Sequence, residues 1–276
     1  MTTALRPADT KRERLSIQMI RRTLDPVTVG KHLYLFDEVE STNAVLRDLA
    51  RSGAAEGTVV LAESQRRGRG RLGRPWFSPP NVNLYAAVLL GQGLPLKEAG
   101  PLSFIGSLAV SDAIRELGLF PAIKWPNDVL LGRDKVAGAL LEWVPLGDNI
   151  GSAVVGVGVN LNVDVELLRR AVGPDGGQAT SVAAVLGRPV DRSRFAASFL
   201  GHLDQWWCRY CHEGIRPVVA AWQNRDILTG RRVELRGAAS SVEGRVLGID
   251  PEGHLIVRTT IGDLHVVLTE DIRVLD

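Results

Sequence analysis

A chain of 276 residues is long enough for one sizeable core and a small second module, so two folded units are the expectation. Lys+Arg 33 against Asp+Glu 31 leaves a formal charge of +2, which excludes a nucleic-acid field spread over the whole protein and makes any basic function local. Hydrophobic residues at 45% with 23% charged residues exclude intrinsic disorder, and no apolar run reaches the ~18 residues of a membrane span.

The first residues, Met1 to Arg22, are charged and lack the apolar segment and cleavage site of an export signal, so a cytoplasmic protein is expected. Within this arm, residues 11 to 24 read as a short helix ended by Asp25-Pro26. His32 to Phe36 suits a strand, and Ser41-Thr42-Asn43 offers capping side chains for a helix that ends at Gly53. Thr58 to Ala62 then reads as a buried strand entering an arginine-glycine loop, and Leu84 to Leu90 as the strand leaving it.

Pro101 to Leu117 has apolar residues at helical spacing behind a first-turn proline. Val129 to Leu131, Val136 to Val144 and Ala153 to Asn160 are apolar, β-branched runs between turn residues, which suits consecutive strands and allows antiparallel pairing. Phe195 to Tyr210 and Pro217 to Trp222 read as closing helices. After Thr229-Gly230 the texture becomes short strands, Arg232 to Leu235, Gly244 to Ile249, Leu255 to Thr259 and Leu264 to Leu268, separated by turns such as Asp250-Pro251-Glu252-Gly253 and Ile261-Gly262-Asp263. That spacing predicts a small barrel.

The loop Gln65-Arg66-Arg67-Gly68-Arg69-Gly70-Arg71-Leu72-Gly73-Arg74-Pro75-Trp76 is the densest chemical signal. Arginine presents a planar fork to phosphate or carboxylate, and glycine lets backbone N–H groups approach closely. So many like charges repel one another when empty, which predicts a loop that is ordered by an anionic ligand. Three other readings compete. Gly68-x-Gly70-x-x-Gly73 matches a dinucleotide fingerprint in form, but Pro75, Pro79 and Pro80 argue against the helix that motif must open. An RNA-binding tract would be a single copy in a nearly neutral protein. A merely solubilising loop leaves the glycines unexplained.

Cys208-Arg209-Tyr210-Cys211-His212 has the form of a c-type haem attachment string, but that chemistry follows export. With His202 added, the same stretch could make only an accidental zinc site. The ordinary reading is an amphipathic helix whose cysteines serve as small buried hydrophobes, with Trp206 and Trp207 used in packing.

Taken in order, Gln65, Gly68-Arg69-Gly70-Arg71-x-Gly73-Arg74-x-Trp76, Lys124-Trp125-Pro126-Asn127-Asp128, Lys135-x-Ala137-Gly138, Gly156-x-Gly158-x-Asn160 and Ala179-Thr180-Ser181 resemble the signature of the biotin protein ligases, over about residues 32 to 276. The resemblance implies an α+β class II aminoacyl-tRNA synthetase-like catalytic domain at 31–228, after an arm at 1–30, and an SH3-like barrel at 229–276. It implies activation of biotin by Mg-ATP to biotinoyl-AMP and transfer to a lysine of a biotin carboxyl carrier domain.

By the same resemblance Ser41, Thr42, Asn43 and Gln65 would bind biotin, with Gly70 beside them; neutral donors and acceptors suit a urea. Arg69 and Arg71 would grip carboxylate and phosphate, with Lys135 electrostatic at their junction. Gly68, Trp76, Asn127, Gly156, Gly158 and Asn160 would serve the adenylate side, Lys124 would touch phosphate or lie along the core edge, and Asp128 would act in the site or as a turn residue. No protein metal site is implied.

Arg66-Arg67 and Pro75 depart from the family's usual loop, and about thirty residues stand where bifunctional members carry a DNA-binding domain, so specific DNA binding is not expected. A homodimer is left open. A lipoate ligase would share the fold but needs a motif missing here, and a nucleic-acid-binding protein using the loop and barrel is the alternative from another class.

Overall fold

In a computed structural model the described residues are 14–95, 102–147, 150–173, 178–236, 241–260, 262–267 and 271–276. Expectations placed on residues 11–13, Pro101, Ile261 and Leu268 lie outside them.

The chain opens with α1 (Ile17–Thr23), capped by the Ser16 hydroxyl, which accepts from Met19 N–H. Next come β1 (Leu33–Val39), α2 (Thr42–Arg51) and β2 (Val59–Gln65). Strands β1 and β2 pair in parallel, as a strand–helix–strand crossover permits and a hairpin would not. The other strands of the sheet pair antiparallel with one another: β3 (Leu84–Pro95), β4 (Ala122–Lys124), β5 (Asp128–Leu131), β6 (Asp134–Gly147) and β7 (Ile150–Val159) complete a mixed seven-stranded sheet ordered β1-β2-β3-β7-β6-β5-β4.

The middle of this sheet is covered on both faces. Alternation sends Leu84, Ala86, Val88 and Leu90 of β3 into the large core with α3 (Leu102–Arg115), while Ala87 and Leu89 meet Leu46 and Ala50 of α2 behind them. Helix α3 is apolar and buried nearly all round because the sheet lies on one side and α6 (Arg192–Glu213) on the other. Two short helices, α4 (Val165–Val172) and α5 (Val182–Leu186), precede α6, and α7 (Arg216–Gln223) follows it, with Trp222 stacked on Phe104 at 4.8 Å between centroids.

A five-stranded antiparallel sheet follows: β8 (Arg232–Arg236), β9 (Ser241–Ile249), β10 (Leu255–Thr259), β11 (Leu264–Val267) and β12 (Asp271–Val274), ordered β11-β10-β9-β8-β12. Val233, Leu235, Val246 and Leu255 of this sheet belong to the same buried cluster as Ile123 and Trp125 of the first.

Segment 14–29 is fixed by buried carboxylates. Asp204, 5% exposed, accepts from the N–H groups of Val27, Thr28 and Val29 at 2.7 to 2.9 Å. Glu63 accepts from Leu15 N–H and pairs with Arg192 at 2.7 Å, all three deeply buried.

Two expectations need correcting. Ser41 occupies the N-cap of α2 in extended backbone, yet its side chain makes no capping bond. The carboxamide oxygen of Gln65 does that work from across the chain, accepting from Thr42 N–H at 2.9 Å and from the Thr42 hydroxyl at 3.2 Å. The cysteines are not small buried hydrophobes either: Cys208 is half-buried and Cys211 exposed, both as free thiols.

Candidate active site

The site lies on the α2 face of the first sheet, where β7 carries glycine. Val155, Val157 and Val159 point into the large core, so Gly156 and Gly158 fall on the opposite face, and the room that side chains would fill there is taken by other groups. A Cβ built on Gly156 would lie 2.0 Å from the Asn43 side-chain oxygen. On Gly158 it would lie 2.4 Å from the Trp76 indole nitrogen. Asn43 and Trp76 therefore stand over successive same-face positions of one strand. The Asn43 side-chain amide and the Trp76 indole N–H are both buried with no hydrogen-bond partner among the described residues.

The arginine-glycine loop brings Trp76 to that position. Its stem is zipped by Gly70 N–H to Arg74 carbonyl at 2.7 Å and Trp76 N–H to Gly68 carbonyl at 2.9 Å, with Arg69 and Pro75 paired as a bridge. Gly68 is required there, because a Cβ would meet the Trp76 carbonyl at 2.7 Å. The Gln65 amide nitrogen donates to the Ser78 hydroxyl at 3.1 Å, and that hydroxyl donates to the Trp76 carbonyl at 2.9 Å. One side chain, Gln65, thus joins the start of α2 to the base of the loop. At the tip Arg71–Gly73 forms a single 3₁₀ turn, with Leu72 exposed at a left-handed φ of 55°.

The five arginines divide by environment. Arg66 and Arg67 pair with Glu38 and Glu40 at the edge of the sheet, at 2.7 to 3.4 Å, so their charge is largely met within the fold. Arg69 lines a cleft with Glu40, Ser41, Ala44, Arg47, Arg67 and Glu142. The Arg71 guanidinium lies over the Trp125 ring, 5.7 Å from its centre.

Lys135 enters from β6. Its ammonium is 2.5 Å from an Asp128 carboxylate oxygen and 5.4 Å from the centre of the Trp76 ring. Its backbone is held on both sides, N–H to Gln178 carbonyl and carbonyl to Thr180 N–H, each at 3.0 Å. A Cβ on Gly138 would lie 3.4 Å from the Lys135 ammonium and 3.5 Å from the Trp76 ring, so this position too faces the site. A cation is thus fixed beside an indole that also packs against Gly158.

The remaining expected residues are placed less directly. The Asn127 amide donates to the Ala139 carbonyl, and its own carbonyl accepts from Ala139 N–H at 3.1 Å, so its amide N–H serves the β5–β6 junction. Asn160 donates to the Thr180 carbonyl at 3.2 Å, and its buried side-chain oxygen has no partner among the described residues. Lys124 reaches the Ile272 carbonyl at 3.0 Å in the C-terminal sheet, a tie that sequence reasoning missed because nothing near Lys124 in sequence announces β12.

The cysteines offer no rival centre. Partial desolvation, with Asp204 near Cys208 and Glu56 near Cys211, pushes both thiols above the ordinary cysteine value, the opposite of an activated nucleophile. Among the described residues no three His, Cys, Asp or Glu side chains group as a metal site.

Comparison with known proteins identifies the family of the chain. Residues 35–160 match the Biotin/lipoate A/B protein ligase family, and residues 228–270 match the Biotin protein ligase C terminal domain. A biotin–(acetyl-CoA-carboxylase) ligase of Paracoccus denitrificans is 37% identical over 227 residues, covering 81% of this chain and 92% of the relative. The bifunctional ligase/repressor BirA of Bacillus subtilis is 31% identical over 252 residues, covering 90% and 76%. A solved biotin protein ligase from Aquifex aeolicus, in complex with biotin and ATP, has a TM-score of 0.73 at 26% identity, covering 89% of this chain and 100% of that one.

Proposed function

Because the chain belongs to the biotin protein ligase family, we propose that it activates biotin with ATP to biotinoyl-5'-AMP and transfers the acyl group to a lysine of a biotin carboxyl carrier domain. The observation that carries this reading is the pairing of two glycines with two unsatisfied donors. Asn43 over Gly156 offers a neutral amide where a urea would sit, and Trp76 over Gly158 offers an indole with Lys135 beside it where charge would grow.

In the first step a biotin carboxylate oxygen attacks the α-phosphorus and the bond to pyrophosphate breaks. Two anions must approach each other, so the barrier is largely electrostatic, and preset cations lower it most. Arg69, Arg71 and Lys135 supply that field. Asp128 holds the Lys135 ammonium in place before substrate arrives. Ser41, Thr42, Asn43, Gln65 and Gly70 would seat biotin, with Gln65 coupling that half to the loop. Gly68, Trp76, Asn127, Gly156, Gly158 and Asn160 would serve the adenylate half, with Gly156 shared through Asn43. In the second step the carrier lysine's neutral amine attacks the acyl carbon and AMP leaves. Magnesium would arrive on the triphosphate oxygens, as it does in sites without a dedicated protein cage.

We further read the first sheet and its helices as a class II aminoacyl-tRNA synthetase-like catalytic domain over 31–228 and the five-stranded sheet as an SH3-like barrel over 229–276. No described helix is long and apolar enough to cross a membrane, and a cytoplasmic location is part of the proposal. The test is to incubate the protein with ATP, magnesium and either biotin or lipoate and to detect the acyl-adenylate by mass spectrometry. Biotinoyl-AMP supports the reading; lipoyl-AMP alone, or neither product, overturns it.

A further inference from the structure

Lys124 and Trp125, at and just beyond the end of β4, both bond backbone carbonyls of the C-terminal sheet. The Lys124 ammonium donates to Ile272 in β12 at 3.0 Å, and the Trp125 indole N–H donates to Gly253 at 2.9 Å. The acceptor at Gly253 is well fixed. It sits in the turn between β9 and β10, where Asp250 accepts from Gly253 N–H at 3.0 Å and from His254 N–H at 2.8 Å, and Gly253 takes a φ of 88° that favours glycine. With its edge pinned there and only 4% of its surface exposed, the indole has one orientation, and the face it presents carries Arg71.

Beyond the bridge at its stem, the tip residues Leu72, Gly73 and Arg74 are exposed. A guanidinium over an indole face gains electrostatic attraction, and its planar fork presents donors in a fixed geometry that a lysine ammonium cannot reproduce. We propose that Trp125 is a positioning residue for Arg71, and that the β9–β10 turn holds it in register, so that the C-terminal sheet helps to set the geometry of the arginine loop. This rests on the reading that Arg71 meets the carboxylate and α-phosphate. Trp125 itself touches no substrate; it acts through Arg71.

The test is a double-mutant cycle on the full chain, read by biotin-dependent ATP–pyrophosphate exchange. Trp125→Phe keeps an aromatic face but removes the N–H that finds Gly253. In the wild-type background it is expected to lower kcat/KM for ATP about fivefold, with kcat falling as the transition-state cation is mispositioned and Tm unchanged, the size of one lost cation–π contact. In the Arg71→Ala background the same substitution is expected to change kcat/KM by less than about 1.5-fold, because coupled residues are non-additive. Equal effects in both backgrounds overturn the proposal.

If Trp125→Phe fails to fold, Arg71→Lys decides from the loop side. If charge alone restores wild-type kcat/KM, a positioned guanidinium is contradicted; a kcat/KM closer to that of Arg71→Ala supports it. Absence of exchange in the wild-type protein would instead sink the proposed reaction, so the two failures are told apart.

Discussion

Gly158 and Trp76 share one contact surface: the indole lies where the first carbon of any side chain at position 158 would have to be, 2.4 Å from that point. Gly156 stands in the same relation to Asn43. Two glycines on one face of β7 therefore decide how closely the two halves of the site approach the sheet.

The glycines should be separable by substitution. Gly158→Ala displaces Trp76 and is expected to raise KM for ATP by at least about tenfold, a loss on the order of 1.4 kcal/mol of binding, with biotin affinity changed much less. Gly156→Ala displaces Asn43 and is expected to weaken biotin binding first. Calorimetric titration of each variant with biotin, beside steady-state kinetics in ATP, checks the split; one variant damaging both ligands equally would count against it.

The buried pair Glu63–Arg192 should carry the attachment of segment 14–29. Arg192→Met strands a carboxylate that is 2% exposed, which costs about 3–5 kcal/mol and on the order of 10 °C in Tm for a chain of this size. The double variant Glu63→Gln, Arg192→Met should recover much of the loss, because no buried charge then remains. Thermal melts of the three proteins provide the check.

Tyr85 predicts a specific alkaline weakness. It is fully buried, its hydroxyl donates to the Pro79 carbonyl at 2.9 Å, and burial pushes its pKa well above the ordinary tyrosine value, with Glu63 adding to the shift and Asn83, Arg192 and Ser78 opposing it. The fold admits only the neutral phenol, so this contribution is complete below the unfolded pKa of about 10 and is lost as pH rises above it. Tyr85→Phe should be less stable by about 1 kcal/mol at pH 7, through the lost hydrogen bond, and should close that gap above pH ~10. Urea midpoints for both proteins between pH 7 and 11 measure the crossover; a gap independent of pH would refute it.

Much of this molecule is legible from its residues because the informative segments are long or chemically extreme. The β-branched runs that form β5, β6 and β7, the apolar helix α3 and the arginine-glycine loop each announce themselves. What escapes is whatever a distant partner creates. Strands β4 and β12 are three and four residues long and become strands only by pairing with β5 and β8. Helix α4, also missed, is eight residues long and is marked only by local signals, Asp164 capping its start and Gly173 ending it. Ser41 reads as a helix cap by local rules, but Gln65, more than twenty residues on, takes the role. Lys124 and Trp125 look like site residues in a linear motif, and only the packing of the second sheet reveals their bonds to Ile272 and Gly253. The loop's arginines could be read as anion-binding, but not which of them the fold already neutralises: Arg66 and Arg67 are met by Glu38 and Glu40, residues that the parallel pairing of β1 with β2 brings alongside.

The central claim is that the cation fixed between Asp128 and the Trp76 ring drives adenylate formation. Biotin-dependent pyrophosphate release by Lys135→Ala, compared with the wild-type protein at saturating biotin and ATP, tests it most directly. The account predicts a fall of at least about 100-fold, on the scale of losing one preset charge partner in the transition state, with an unchanged circular dichroism spectrum and Tm. Release at a near wild-type rate would contradict it.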